Sequence, residues 1–363
     1  MKRLIKTAAA VLLSVLMLAS VTGCTGQNPF VDSGIGKITA EPFATHTPEP
    51  VPTEAPTPVP TEPPTPTPVP TEPPTPTPVP TEPPTPEPEL PDSFLFGGVE
   101  VWAGQTAVKV YGKQSSLIRI TPEEMDMLIK LCPNLTTLTL DYCCMADYSR
   151  IGELTSLRNL MISTTTSSQD PGIPLVDIDW MASLTDLRTL YLAYNNIEDI
   201  HVLAGLTRLD ELNLAWNNIT DDDLDDLTGL PLRLLYLYCN RSLRDVSALS
   251  KIRSLELLHI GGNSKLRFSG IKKLTNLSHL KELDISYCPV EDFEWIRDFK
   301  SLETLRIEHS EFIDFYAYYD LAASETLQTV VISKEDTDTE EALRAMIRDC
   351  KSDIEIVYWE NYK

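Results

Sequence analysis

Leucine recurs along the later part of the chain in a fixed arrangement, L-x-x-L-x-L, beginning at Leu135, Leu157, Leu187, Leu209, Leu232, Leu255, Leu280 and Leu302, with a degenerate ninth copy at Leu327. The spacings are 22, 30, 22, 23, 23, 25, 22 and 25 residues. Alternation within each motif predicts a short strand with leucines on one face and the intervening residues on the other. In the clearest copy, Leu187 to Arg208, the side chains of Leu187, Leu190 and Leu192 point inward, while Ile197, Ile200, Leu203 and Leu206 fill the return path. One such unit cannot bury its own apolar face, whereas stacked units cover one another. Nine strands at about 4.8 Å spacing predict a parallel sheet about 40 Å long.

These residues, over roughly Leu135 to Ile332, resemble the leucine-rich repeat family, specifically the 22-residue type of internalin-like bacterial surface proteins. The resemblance implies an α/β leucine-rich repeat solenoid. Its concave face is a curved parallel β-sheet, its convex side is irregular, 3-10 or short helical, and caps close both ends. It also implies that the residue following each strand bonds buried backbone at the turn; this is Asn195, Asn217, Asn240 and Asn263 in four copies and Cys143 and Cys288 in two others. At one end Val99 to Tyr111 reads as paired strands and Pro122 to Leu131 as a capping helix. At the other, Phe312, Phe315, Tyr316, Tyr318 and Tyr319 lead into a helix-like stretch, Thr339 to Arg348, and a strand-like one, Ile354 to Trp359, that seal the core. The second repeat carries about eight extra residues between Thr164 and Pro174, expected to bulge as a loop that either contacts a partner or is a tolerated insertion.

The start of the chain has a different pattern. Lys2, Arg3 and Lys6 precede an apolar run from Ala8 through Ala19, an order that reads as a signal peptide too short to span a bilayer. Val21-Thr22-Gly23-Cys24 resembles a bacterial lipobox, which implies lipidation of Cys24 and cleavage before it. Of the 29 prolines, 22 lie between Pro42 and Pro91, where a ten-residue unit, PTPVPTEPPT, repeats. Proline fixes φ and removes a donor, so this stretch is expected to be an extended spacer reaching on the order of 140 Å. The division is therefore a signal peptide over 1–23, a short segment over 24–47, the spacer over 48–91, an N-terminal cap over 92–134, repeats over 135–332 and a C-terminal cap over 333–363. It places the protein outside the cytoplasm, lipid-anchored to a bacterial cell membrane and displayed toward the surface.

The net charge is −23, and removing the three cations of the leader with no acid makes it −26, which argues against nucleic acid as a partner. No cofactor or metal is expected. Cys24, Cys132, Cys143, Cys144, Cys239, Cys288 and Cys350 form no CxxC pair. They read as mostly free buried thiols, with Cys132 paired to Cys143 or Cys144 as the alternative. The five histidines lack metal-ligand spacing, and Asp221-Asp222-Asp223 with Asp225-Asp226 lacks the glycine turn of a calcium loop and reads as a solvated repeat back. No catalytic constellation follows from the spacing, so the chain reads as a non-enzyme.

The candidate chemistry lies on the concave sheet. The residues expected to project there include Tyr191, Tyr194, Trp216, Tyr236 and Tyr238, followed by His259, Asp284, Tyr287, Arg306 and His309. Tyr, Trp and Arg are enriched at interface hot spots, although aromatics packed across a sheet also stabilise it. Two functions are consistent with the pattern: a monomeric surface module that binds a protein or glycan ligand through the concave face, or an envelope structural protein docked permanently in a larger complex. An exposed, wet patch on the purified monomer favours the first, and obligate co-purification with an envelope partner favours the second. For the anchor, a fatty-acid analogue fed to producing cells is expected to label the wild-type chain and leave Cys24→Ala unlabelled; equal labelling of both would refute lipidation at Cys24.

Overall fold

The computed structural model describes residues 90–113, 116–163, 174–309 and 315–358. The leader, Cys24, the proline-rich stretch as far as residue 89, the second-repeat insertion from 164 to 173, Phe312, the Phe315 side chain and Trp359 lie outside the described residues.

An antiparallel hairpin, β1 (Ser93–Phe96) with β2 (Val99–Trp102), comes first. Then follow β3 (Ala107–Tyr111), β4 (Ile118–Ile120), helix α1 (Pro122–Leu131), β5 (Thr137–Asp141), β6 (Cys143–Met145) and β7 (Asn159–Ser163). The regular repeats supply β8 (Thr189–Tyr191), β9 (Glu211–Asn213), β10 (Leu234–Tyr236), β11 (Leu257–His259), β12 (Glu282–Asp284) and β13 (Thr304–Arg306). Helix α2 (Phe268–Lys272) lies between β11 and β12, and β14 (Thr329–Ile332), helix α3 (Thr337–Cys350) and β15 (Glu355–Tyr358) end the described chain. Eleven strands form one parallel sheet in the order β3, β5, β7, β8 and onward without interruption to β15, while β4 pairs with β6 beside it.

Two expectations about the ends are corrected. Val99 to Tyr111 does not pair with itself, because β2 turns back on β1 and β3 leaves to pair in parallel with β5. The sheet is also longer than nine strands, since β3 at one end and β15 at the other continue the repeat register. Helix α1 forms where expected, closed by a capping box in which Thr121 and Glu124 satisfy each other's backbone N–H groups. At the other end Tyr318 is buried against Phe293, with ring centroids 5.7 Å apart, and its hydroxyl lies 3.1 Å from Thr339 Oγ1. Tyr316 is the exception to the sealing role, at 71% exposure.

Each of the three-residue strands β8 to β13 buries its middle side chain completely: Leu190, Leu212, Leu235, Leu258, Leu283 and Leu305 form one row. The convex side returns through short 3-10 turns, among them Asp179–Ser183, His201–Gly205, Ser247–Lys251 and Glu294–Asp298. Before these turns the acid content has a structural use. The carboxylates of Asp147, Asp177, Asp199, Asp245 and Asp292 each accept from the backbone N–H two residues on, satisfying a donor the turn leaves open. In the acid run the same work is divided: Asp221 accepts from the N–H groups of Arg244 and Asp245 in the next repeat, and Asp223 accepts from Thr220 N. Lys251 pairs with Asp225 at 2.8 Å.

The turns after the strands are held by the expected asparagines. Asn195, Asn217, Asn240 and Asn263 each donate through Nδ2 to a carbonyl of their own strand's end and to one in the preceding repeat, at 2.7–3.1 Å. Asn217 and Asn240 also accept from the N–H groups of Ile197 and Ile219. Cys143 and Cys288 occupy the same position and donate a weaker S–H bond. None of the six described cysteines forms a disulfide, and five are buried, Cys350 being exposed; burial pushes the Cys143 thiol up to about 12. Asn240→Ala would strand the buried Ile219 N–H and take one of two amide donors from each of Leu214 O and Leu237 O, which keep those of Asn217 and Asn263. It is expected to lose on the order of 2 kcal/mol in urea denaturation, whereas Asn218→Ala, half-exposed beside Asn217, should change stability by less than about 0.5 kcal/mol.

Candidate binding face

Sheet register sorts the concave face into rows that run from repeat to repeat. The first strand residues contribute Thr189, Glu211, Leu234, Leu257, Glu282 and Thr304, and the third contribute Tyr191, Asn213, Tyr236, His259, Asp284 and Arg306. Two residues beyond lie Ala193, Ala215, Tyr238, Gly261, Ser286 and Glu308. A fourth row at the rim is made of residues in the left-handed conformation: Tyr142, Tyr194, Trp216, Cys239, Gly262, Tyr287 and His309 have φ between 47° and 74°. Several of them donate their N–H to the next repeat, as Trp216 does to Tyr238 O at 2.8 Å and Tyr287 to Glu308 O at 2.9 Å.

The five rings expected to form one open patch therefore belong to three rows. Tyr191 and Tyr236 are buried, at 8% and 6% exposure, because neighbouring strands of a curved face crowd its third-position row. The Tyr191 hydroxyl donates to Glu211, and burial followed by the Glu211 charge raises the tyrosine's pKa. Burial also raises the pKa of Tyr236, whose ring meets His259 edge-on at 5.1 Å. The half-exposed rings are Tyr194, Trp216 and Tyr238. Tyr194 and Trp216 stack at 5.4 Å with planes 11° apart, and Tyr238 continues the band 6.4 Å from Trp216. Glycine at 261 makes room for it, since a Cβ there would stand 2.8 Å from the Tyr238 ring and 3.0 Å from Asp284 Oδ1. Arg241 lies over the Trp216 ring, 5.9 Å from its centroid.

Beyond Gly261 the face is charged. His259, Asp284 and Arg306, expected there, are joined by Glu282 and Glu308, and the Tyr287 and His309 rings meet at a tilt, 4.9 Å apart. Arg306 lies 3.3 Å from Asp284 and 2.8 Å from Glu308, while His259 Nε2 is 3.0 Å from Glu282. Asp284 also receives the Ser286 N–H, and His309 bonds Asp336 through both its ring and its backbone. Burial disfavours the Arg306 charge, but Asp284 and Glu308 restore it and raise its pKa. Burial, with Asp284 beside it, outweighs Arg306 at Glu308 and pushes that carboxyl up to about 7. Sequence reasoning passed over Glu211, Glu282 and Glu308. The signal was available for the first two, which stand two residues before each third-position side chain and share its face.

A carboxyl whose folded pKa exceeds its unfolded value contributes stability that is complete below the unfolded pKa and is lost as pH rises through the folded one. For Glu308 that window runs from about 4.5 to about 7. Wild type is expected to lose on the order of 2 kcal/mol more than Glu308→Gln between those limits, read from denaturation midpoints across the pH range.

Two stretches, residues 173–219 and 276–292, match family models described as leucine rich repeat. No curated protein matches the sequence. Among solved structures, an internalin of Listeria monocytogenes is 21% identical, with 69% of this chain and 79% of that one covered and a TM-score of 0.48. An internalin C2 of the same organism is 21% identical over 63% of this chain and 80% of its own, with a TM-score of 0.39. Among the described residues no group of His, Cys, Asp or Glu is placed to hold a metal ion, and no helix is long and apolar enough to cross a membrane. The chain carries a leucine-rich repeat domain, and the solved structures it resembles include internalins.

Proposed function

We propose that the protein is a lipid-anchored binding module of the bacterial cell surface that recognises a protein or glycan ligand through its concave face and the adjoining rim. One observation carries this reading: the half-exposed aromatic band in which Tyr194 stacks on Trp216 at the rim and Tyr238 continues inward at a tilt. Left-handed backbone favours glycine and costs a side-chain-bearing residue roughly 1–2 kcal/mol. Yet five of the seven described rim positions hold Tyr, Trp or His and one holds glycine. Large rings with polar tips, held at that cost and left half-exposed, suit recognition better than packing. The lipobox-like Val21-Thr22-Gly23-Cys24 and the proline-rich spacer support an anchor and a stand-off from the membrane.

A second reading, permanent docking in an envelope complex, has its own support at the N-terminal end, where Leu95, Trp102 and Tyr111 are all more than half exposed. The two separate by mutation. Partner capture from cell-surface extract with the full chain, followed by affinity measurement, is expected to show Trp216→Ala losing roughly 2 kcal/mol or more of binding while the melting temperature moves little. Unchanged affinity in Trp216→Ala, with loss on Trp102→Ala instead, would replace the first reading by the second.

A further inference from the structure

The concave face between β9 and β13 carries more negative charge than its own cations balance. Glu211, Glu282, Asp284 and Glu308 stand on it; against these four carboxylates Arg306 is the one guanidinium or ammonium group in the same described rows, and Arg233 at the edge of the sheet acts on Glu211. The Glu282, Asp284 and Glu308 side chains are 18%, 6% and 10% exposed. They reach the surface but are poorly hydrated, the condition under which charge interactions are strongest. The aromatic band runs directly into them, because Gly261 lies between the Tyr238 ring and the Asp284 carboxylate. The chain already places one guanidinium, that of Arg241, over the Trp216 ring.

Building on the reading of this face as a binding surface, we propose that its stretch from Trp216 to Glu308 receives a lysine or arginine side chain of a protein partner. The rings of Trp216 and Tyr238 pack against the stem or guanidinium plane, and Glu282, Asp284 and Glu308 take the charge. A neutral sugar seated here would offer the carboxylates hydroxyl donors but no opposite charge, and an acidic glycan would be repelled. A basic protein segment supplies the missing charge and the apolar stem together.

Proton competition gives the site a signature. Glu308 is faced by Arg306 two residues before it, by Asp284 and Ser286 from the neighbouring repeat, and by Asp336, which also holds His309, at the rim; Lys334 beyond them lies over the Tyr358 ring. With its carboxyl titrating at about 7, an incoming cation must displace the Glu308 proton at lower pH. Release of one proton at that value makes binding about tenfold tighter at about pH 8 than at about pH 6.

The test uses the full chain and a fluorescent peptide alternating lysine and serine, with its Nε-acetylated form and spermine as comparison probes, at near-physiological salt. The lysine peptide is expected to bind at least about tenfold tighter than the acetylated one, with the pH dependence above. Glu282→Gln with Glu308→Gln should weaken it about tenfold or more, while Asp222→Asn with Asp298→Asn, which removes two charges from the convex turns, should change it less than about twofold. Equal losses in the two double variants would show attraction to the acidic chain as a whole and overturn the proposal. So would equal binding of the acetylated peptide, or spermine binding as tightly as the peptide and unaffected by Trp216→Ala. Should the first double variant fail to fold by circular dichroism, Glu282→Gln alone carries the test, with a loss of at least about threefold expected. A captured partner that depends on Trp216 but ignores Glu282→Gln would leave the binding face standing and overturn the cationic assignment.

Discussion

The constraint on which the rest of this structure depends is the burial of the turn that follows each strand. The chain must leave the sheet, reverse and enter the core, and it does so where no water reaches its carbonyls. In four repeats one side chain solves this: Asn195, Asn217, Asn240 or Asn263 bridges its own turn to the preceding one, so the backbone of each is satisfied partly by its neighbour. The residue just before the asparagine is driven into left-handed backbone, and that conformation places the rings of Tyr194 and Trp216 at the rim. Core, turn and candidate site thus share one geometric cause.

The ladder also shows where regularity breaks. Between Asn240 and Leu243 the fifth repeat has one residue more than the stretch from Asn217 to Ile219, and the Leu243 N–H turns to Asn240 O. Asn263, next in the ladder, keeps both donor bonds, while its Oδ1 is buried without a hydrogen-bond partner. The leucine rows continue across this position unchanged, with Leu235 and Leu258 fully buried on either side, so apolar packing rather than an unbroken ladder carries the sheet through it.

Much of the fold was legible because a strand's alternation and a repeat's period are both properties of order along the chain. The buried leucines, the asparagine turns, α1 and the terminal helix and strand follow from that order. Membership of β3 and β15 in the sheet did not, since neither carries a leucine motif and both are recruited by the exposed edge of an existing array. The site was read less well, for a related reason. Alternation tells which face a side chain occupies, but how deeply it is shaded depends on its neighbours across the sheet. Tyr191 and Tyr236 are on the expected face and yet buried, and Glu282 and Glu308 meet His259 and Arg306 only once the register of separate repeats is known. The net charge of −23 likewise resolves into two uses: aspartates that close convex turns, and carboxylates gathered on the concave side.

The rim row has a consequence for how such a surface can change. Its side chains sit outside the leucine core and outside the asparagine ladder, while the backbone beneath them is fixed by both. Tyr, Trp, Cys, Gly and His already occupy equivalent points on one unaltered frame. Specificity at this edge can therefore drift one repeat at a time, by exchange of single residues that tolerate left-handed backbone, while the load of folding rests elsewhere.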